Sequence, residues 1–308
     1  MRNALTIDVE DYYQVSAFSS RISRTDWAKF PSRVEANTEK ILDEINAAGF
    51  HATFFVLGSV AESHPRLIRR IADCGHEVAC HSSQHRSVYQ MTMSEFRDDT
   101  RRAKLTIEAA AGHQVYGYRA PSFSIREDSV WAFEVLAELA FQYDSSIFPV
   151  KHPNYGMPKS LRFPYRIETK SGPIVEFPLT TVEFGGRRSP LGGGAYLRFL
   201  PYWYTRWAFR HVNRFEGRPV CVYLHPWELD PDQPRLPGGL TSRMRHYFGL
   251  RGAEAKFRRL LEDFEYQPMG ALLKELTGSF PQISNLALPQ VSPAELLSTE
   301  AGFTNGNG

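Results

Sequence analysis

The strongest constraint on the fold of this chain is a pattern repeated through its first half, in which a short apolar run is followed by a capped, amphipathic helical segment. Ala4-Leu5-Thr6-Ile7 reads as a strand. Ser32 and Glu35 have the spacing of a capping box, Ile41, Leu42 and Ile45 form a helical stripe behind it, and Gly49 ends the stripe. A second strand over residues 53–57 leads to a helix capped by Ser63, with Pro65 in its first turn and Gly75 at its end. Glu77-Val78-Ala79-Cys80 follows as a third strand. Thr92 with Glu95, and Ser124 with Glu127, repeat the capping-box spacing on either side of a strand over residues 115–118, and Gly112 ends the first of these helices. Apolar runs at 141–143, 174–177 and 220–224 bring the count to about seven strands. Strands that alternate with helices close most simply as a parallel sheet. The expected class is therefore α/β, a distorted (β/α) barrel of about seven parallel strands.

With 308 residues, 42% of them hydrophobic, the chain can bury such a core as one unit. The expectation is a catalytic domain over 1–281, including a C-terminal extension from about residue 228, and a loosely held tail over 282–308, where TEAGFTNGNG is polar and turn-rich. A formal charge of +2, set against 36 basic and 34 acidic residues, argues against a nucleic-acid partner and suits a small polar substrate such as a sugar. Cys74, Cys80 and Cys221 lie in apolar contexts without C-x-x-C spacing, as reduced thiols do, and the N-terminus lacks the apolar core of a signal peptide. Both features lead to an expected cytoplasmic location. Between Pro178 and Pro201 the glycines at 185–186 and 192–194 break the pattern, and a substrate-facing loop is expected there. Residues 254–264 read as a last packing helix, with Phe257, Leu260, Leu261 and Phe264 at helical spacing.

Three clusters of acids and histidines fall where these strands end: Asp8, Glu10 and Asp11, then His81 and His85, then His225. A barrel brings its strand ends to one rim. Asp8 and Glu10, two residues apart, point to one face, whereas Asp11 lies beyond in the turn. Standing alone, such acids more often cap a turn. Histidines four apart in a helical turn, however, converge their rings on one point, and two imidazoles with one carboxylate form a common catalytic zinc set. Arg119 ends the fourth strand, with Pro121 fixing the backbone after it, and is placed to hold a carboxylate ionised and oriented; the plainer reading is a surface ion pair. His225 closes the last strand, where it is placed to donate a proton to a leaving amine; the plainer reading is a buried structural histidine.

The order acid cluster, H-S-x-x-H, R-x-P and L-x-H resembles the polysaccharide deacetylases, the NodB-homology or carbohydrate esterase family 4 enzymes, over residues 5–227. DVEDYYQ, YRAPSFSI, YDSSIFP and YLHPWELD are similar to the subgroup found at exosortase (PEP-CTERM) exopolysaccharide loci, which carries a C-terminal extension. The resemblance implies a NodB-like barrel and a divalent metal, usually Zn2+, with His81 and His85 as ligands, Asp8 as general base, Arg119 orienting that base and His225 as general acid. Where the family carries T-F-D-D-G, this chain reads Thr6-Ile7-Asp8-Val9-Glu10-Asp11, so the metal's carboxylate is Glu10 or Asp11. Leu224 is implied as an apolar pocket wall, and Pro121, Ser122 and Trp227 as substrate contacts, with a backbone N–H after Pro121 stabilising the oxyanion. Asp144 is implied as a partner of His225 or Arg119. The implied activity is removal of acetyl groups from N-acetylated amino sugars of a glycan or its precursor in exopolysaccharide biosynthesis, in association with a membrane-bound assembly system. Two other readings stay open: an amidase acting on a small amide, as in allantoinase-like relatives, and a metal-free carbohydrate-binding barrel.

Overall fold

A computed structural model describes residues 1–152, 155–276 and 280–283. The strands are β1 Arg2–Val9, β2 Thr53–Val56, β3 Glu77–Cys80, β4 Gly117–Tyr118, β5 Tyr143–Asp144, β6 Tyr165–Thr169, β7 Gly172–Glu176, β8 Thr181–Phe184, β9 Arg187–Pro190, β10 Cys221–Leu224, β11 Glu265–Gln267 and β12 Gln282–Ile283. The path β10-β1-β2-β3-β4-β5-β7 is parallel at every step. Its members are the apolar runs read from the sequence, curved into a distorted barrel. The crossovers are filled by α1 Val34–Ala47, by α2 Gly58–Ser63 with α3 Pro65–Asp73, by α4 Met93–Ala111 and by α5 Ala132–Glu138. The second half adds α6 Ala195–Phe199, α7 Tyr202–Arg214, α8 Leu240–Tyr247, α9 Leu250–Asp263 and α10 Met269–Glu275.

Side-chain alternation divides the core in two. Leu5, Ile7, Val9, Phe54, Val56, Val78, Val222 and Leu224 face the helices and pack with Ile41, Ile45, Leu67 and Ile107. Ala4, Phe55, Ala79, Tyr143, Cys221 and Tyr223 face the barrel interior. Thr92 and Glu95 form their capping box on α4, Gly112 ends it in the left-handed region at φ 79°, and Pro65 opens α3. As expected, α9 buries Phe257, Leu260 and Leu261. Cys80 and Cys221 are free and buried, and Cys74 is free and half-buried.

Several expectations are corrected by long-range contacts. Ser32 does not cap α1, because its hydroxyl donates to Asp11 Oδ2 at 2.6 Å. Ser124 does not open a helix, because its hydroxyl accepts from the Val88 amide at 2.9 Å, and α5 begins only at Ala132. β6 pairs antiparallel with β7 and carries β12 on its far edge, β11 pairs with β1, and β8 with β9 forms a separate ribbon. Gln282 and Ile283, expected to begin the tail, pair with β6; residues 284–308 of that expected tail lie outside the described residues.

Among the described residues, no strand spans the seam between β7 and β10. The chain after β7 closes it instead, with the Phe177 amide donating to Asp144 O at 2.8 Å and the Leu179 amide to Ile147 O at 2.9 Å. The glycine run then lies along β10: the Tyr223 amide donates to Gly192 O at 2.7 Å and the Gly194 amide to Tyr223 O at 2.9 Å. At Gly193 a Cβ would overlap the Tyr223 carbonyl oxygen, so only glycine permits this approach.

Asp144 is turned away from His225 and Arg119. It sits opposite Glu176 in the β5–β7 register, on the helix-facing side of the sheet. Its carboxylate accepts from the Ser146 hydroxyl at 2.7 Å and the Ser146 amide at 3.0 Å, while Glu176 Oε1 accepts from the Ile147 amide at 2.9 Å. Both acids are fully buried. Burial, then the Asp144 charge, raises the Glu176 pKa well above 4.5, so the pair retains a proton. A carboxyl whose pKa is higher folded than unfolded stabilises the fold below its unfolded value and loses that contribution as pH rises. Glu176→Gln removes the titration while keeping an acceptor for Ile147. From about pH 5 to about pH 9 the difference in thermal midpoint should shift steadily in favour of the variant, and a constant difference across that range would exclude the retained proton.

Candidate active site

Asp8 and Glu10 continue the inward-facing alternation of β1, and they meet residues from the ends of β3, β4 and β10 in one cleft. Glu10, His81 and His85 each offer a ligand atom, all within 4.8 Å of one another. The histidines do not converge through a helical turn. The chain bends at Ser82 and His85, with φ 67° and 52°, and this turn is held by the His85 amide donating to Ser82 Oγ at 3.1 Å and the Ser83 amide to Asp99 Oδ2 at 2.9 Å. His81 Nδ1 lies 2.8 Å from Arg119 O. A carbonyl only accepts, so Nδ1 carries the proton and the Nε2 lone pair is left for the cleft.

The donor set fits a cation. Glu10 Oε2 is buried 2.9 Å from His85 Nε2, yet accepts no hydrogen bond of acceptable geometry. Glu10 Oε1 accepts from Trp227 Nε1 at 3.2 Å. Burial opposes ionisation of Glu10, but His85 and His225 outweigh it and hold its pKa at about 2. Burial lowers the His81 pKa to about 4, against the pull of Asp8, and keeps the ring neutral as ligation requires. Asp11 is not part of this cluster. It has the opposite parity on the strand, and its carboxylate accepts from the Ser32 hydroxyl and from the Arg33 amide at 3.1 Å, satisfying the start of α1.

Arg119 is fully buried, with its guanidinium 4.1 Å from the centre of the Phe55 ring. Nη1 donates to Asp8 Oδ1 and to Thr6 Oγ1, each at 2.7 Å, and Nε and Nη2 donate to Ser145 O and Oγ at 3.1 and 2.9 Å. Only Asp8 Oδ2 remains toward the cleft, 3.9 Å from His225 Nε2.

His225 Nδ1 lies 3.1 Å from Glu228 Oε2, and Arg198 Nε donates to Glu228 Oε1 at 2.7 Å. Burial disfavours the imidazolium, but Glu10, Glu228 and Asp8 together raise the His225 pKa to about 9. The Trp227 ring is stacked between His225 and His246, at 5.2 and 4.2 Å between centroids, so it braces His225 and Glu10 as well as lining the cleft. Ser122 lines the cleft at a left-handed φ of 54°, with the buried Pro121 behind it. Leu224 faces the helices, and the inward neighbour that lines the cleft is Tyr223. Glu228 and Arg198 were missed in the sequence. The i, i+3 spacing of His225 and Glu228 was the available signal for the first, whereas nothing local marks Arg198.

Residues 26–143 match the family model described as polysaccharide deacetylase, and residues 145–274 match one described as Domain of unknown function (DUF3473). The chain is 33% identical over 98 residues to a Bacillus cereus peptidoglycan-N-acetylglucosamine deacetylase, covering 32% of this chain and 36% of that protein. It is 33% identical over 104 residues to a Bradyrhizobium chitooligosaccharide deacetylase, covering 33% and 45%. It thus spans less than half the length of these relatives. Among solved structures, a Mycobacterium smegmatis protein assigned as a polysaccharide deacetylase superposes with a TM-score of 0.61 at 21% identity, covering 92% of each chain. The PuuE allantoinase superposes with a TM-score of 0.59 at 14% identity, covering 90% of this chain and 91% of that one, and both likenesses concern the fold. The polysaccharide deacetylase match thus covers residues 26–143, and one sheet continues from there into the residues that match the domain of unknown function, which supply His225, Glu228 and Arg198.

Proposed function

We propose that the protein is a metal-dependent N-deacetylase that removes acetyl groups from N-acetylated amino sugars of a polysaccharide or its precursor, in exopolysaccharide biosynthesis. The observation that carries this reading is the meeting in one cleft of a Glu10–His81–His85 donor set, an arginine-held carboxylate at Asp8 and a carboxylate-backed imidazole at His225. The names of the Bacillus cereus and Bradyrhizobium relatives support it. Two imidazoles and one carboxylate suit Zn2+ with positions left for water and substrate. Held there, the metal would supply Lewis-acid polarisation of the acetyl carbonyl and of the attacking water.

The chain's own residues account for the proton movements. Arg119 occupies Asp8 Oδ1, so Oδ2 accepts the proton that the water loses as its oxygen bonds to the acetyl carbon. His225, kept protonated by Glu10 and Glu228, gives a proton to the nitrogen as the C–N bond breaks. Glu228 fixes the ring through Nδ1 and leaves Nε2 as the donating atom. The products are acetate and a free amino sugar.

Zinc content and acetate release from a chitooligosaccharide test these assignments. His81→Ala should abolish zinc retention. Asp11→Ala should keep zinc affinity while lowering stability by about 1 kcal/mol, as loss of a helix-start acceptor does; loss of zinc from that variant would return Asp11 to the ligand set. Asp8→Asn should retain zinc and lose about 10²–10⁴-fold in kcat. An unchanged kcat in Asp8→Asn would remove Asp8 as the base. A wild-type protein that binds zinc yet releases no acetate would overturn the deacetylase reading.

A further inference from the structure

One face of the second half is used neither by the cleft nor by the core. Along α7 the side chains Trp203, Tyr204, Trp207 and His211, with Phe215 just beyond, form a continuous ladder of ring contacts at 6.0, 5.6, 5.6 and 5.3 Å between centroids. Trp203 is 69% exposed and Phe215 82%. A second apolar stripe, Leu240, Met244 and Phe248 at intervals of four, lies on and just after α8, with Leu240 83% exposed. Phe199, at the end of α6 and four residues before Trp203, is 41% exposed and stacks on Phe248 of the second stripe at 4.8 Å. Isolated exposed apolar side chains are ordinary, but a connected aromatic ladder with a second stripe beside it marks an interaction surface.

The charge in this part of the chain is mostly positive. Residues 195–251 contain nine arginines, no lysine and four carboxylates, whereas the whole chain has a formal charge of +2. Arg206 and Arg210 share Asp263, at 2.8 and 3.6 Å, while Arg214, Arg243 and Arg251 enter no ion pair among the described residues. We propose that this face docks the protein on an anionic lipid surface, with the tryptophans and phenylalanines at headgroup level and the arginines against the lipid charge. A second copy of the chain fits less well, because an isologous contact would set Arg214 and its neighbours against themselves. An acidic glycan also fits less well, since it would leave the protruding aliphatic side chains of Leu240 and Met244 in water, whereas a lipid surface covers them. The cleft opens beside this face, with Arg245 of α8 among its lining residues, so docking would hold the catalytic mouth close to the headgroups.

The proposal is independent of the deacetylase reading and is tested without it. The full chain is floated with vesicles of phosphatidylcholine alone and of phosphatidylcholine with an equal amount of phosphatidylglycerol. Flotation with the anionic vesicles only, weakened by added salt, is the expected result. Trp203→Glu combined with Trp207→Glu, and separately Arg214→Glu combined with Arg243→Glu, should each reduce it by about ten-fold or more, with thermal midpoint unchanged. Absence of flotation with either vesicle, or flotation insensitive to both pairs of substitutions, would overturn it. So would a dimer in sedimentation that the tryptophan pair abolishes without any flotation, or binding to a soluble acidic polysaccharide in place of vesicles.

Discussion

The ion pair between Arg119 and Asp8 is the contact on which the rest of the site depends. A guanidinium removed entirely from water carries a desolvation cost of several kcal/mol, recovered only if every donor finds a well-placed acceptor. Here the acceptors come from β1, through Thr6 and Asp8, and from the turn after β5, through Ser145. Arg119 therefore ties together strands distant in the chain at the level of the barrel rim. Its backbone contributes as well, since the Arg119 carbonyl sets the tautomer of His81. One residue thus orients the Asp8 carboxylate through its side chain and a metal-capable imidazole through its main chain.

The sheet was largely legible because its strands are buried on both sides and read as apolar runs between helices. The pieces that were not legible, β6, β8, β9 and β12, are short or polar and gain their pairing from neighbours rather than from their own pattern. Within the site, the period of two held more information than was taken from it. Asp8 and Glu10 share a parity that Asp11 lacks, and Leu224 has the opposite parity to Tyr223 and His225. Asp144 likewise alternates against Tyr143 and Ser145, and its partner Glu176 comes from a strand that sequence spacing does not relate to it. The capping boxes at Ser32 and Ser124 show the reverse case, where a sound local signal is overridden by a distant acceptor or donor.

The deacetylase match and the domain of unknown function divide the chain near residue 144, but the chemistry does not divide there. The donor set and the arginine-held carboxylate come from the first 119 residues. His225, its backing carboxylate Glu228 and the arginine that anchors that carboxylate come from the second part, with Arg198 and Glu228 30 residues apart in sequence. Arg198 also donates to the His246 and Phe248 carbonyls, so the placement of His225 is coupled to the segment around α8 that forms the far wall of the cleft.

The glycine run along β10 has a further consequence for how the barrel moves. Elsewhere along the parallel path each strand pairs with another strand, whereas at this seam Tyr223 is held by two hydrogen bonds to a run of three glycines, which bring no side chains of their own to the core. Cooperative opening follows the weakest local packing, so amide exchange should be fastest, among the parallel strands, where β7 faces β10. That seam lies two residues from His225. His225 thus sits beside the glycine seam, whereas the Asp8–Arg119 pair lies among strands paired on both sides.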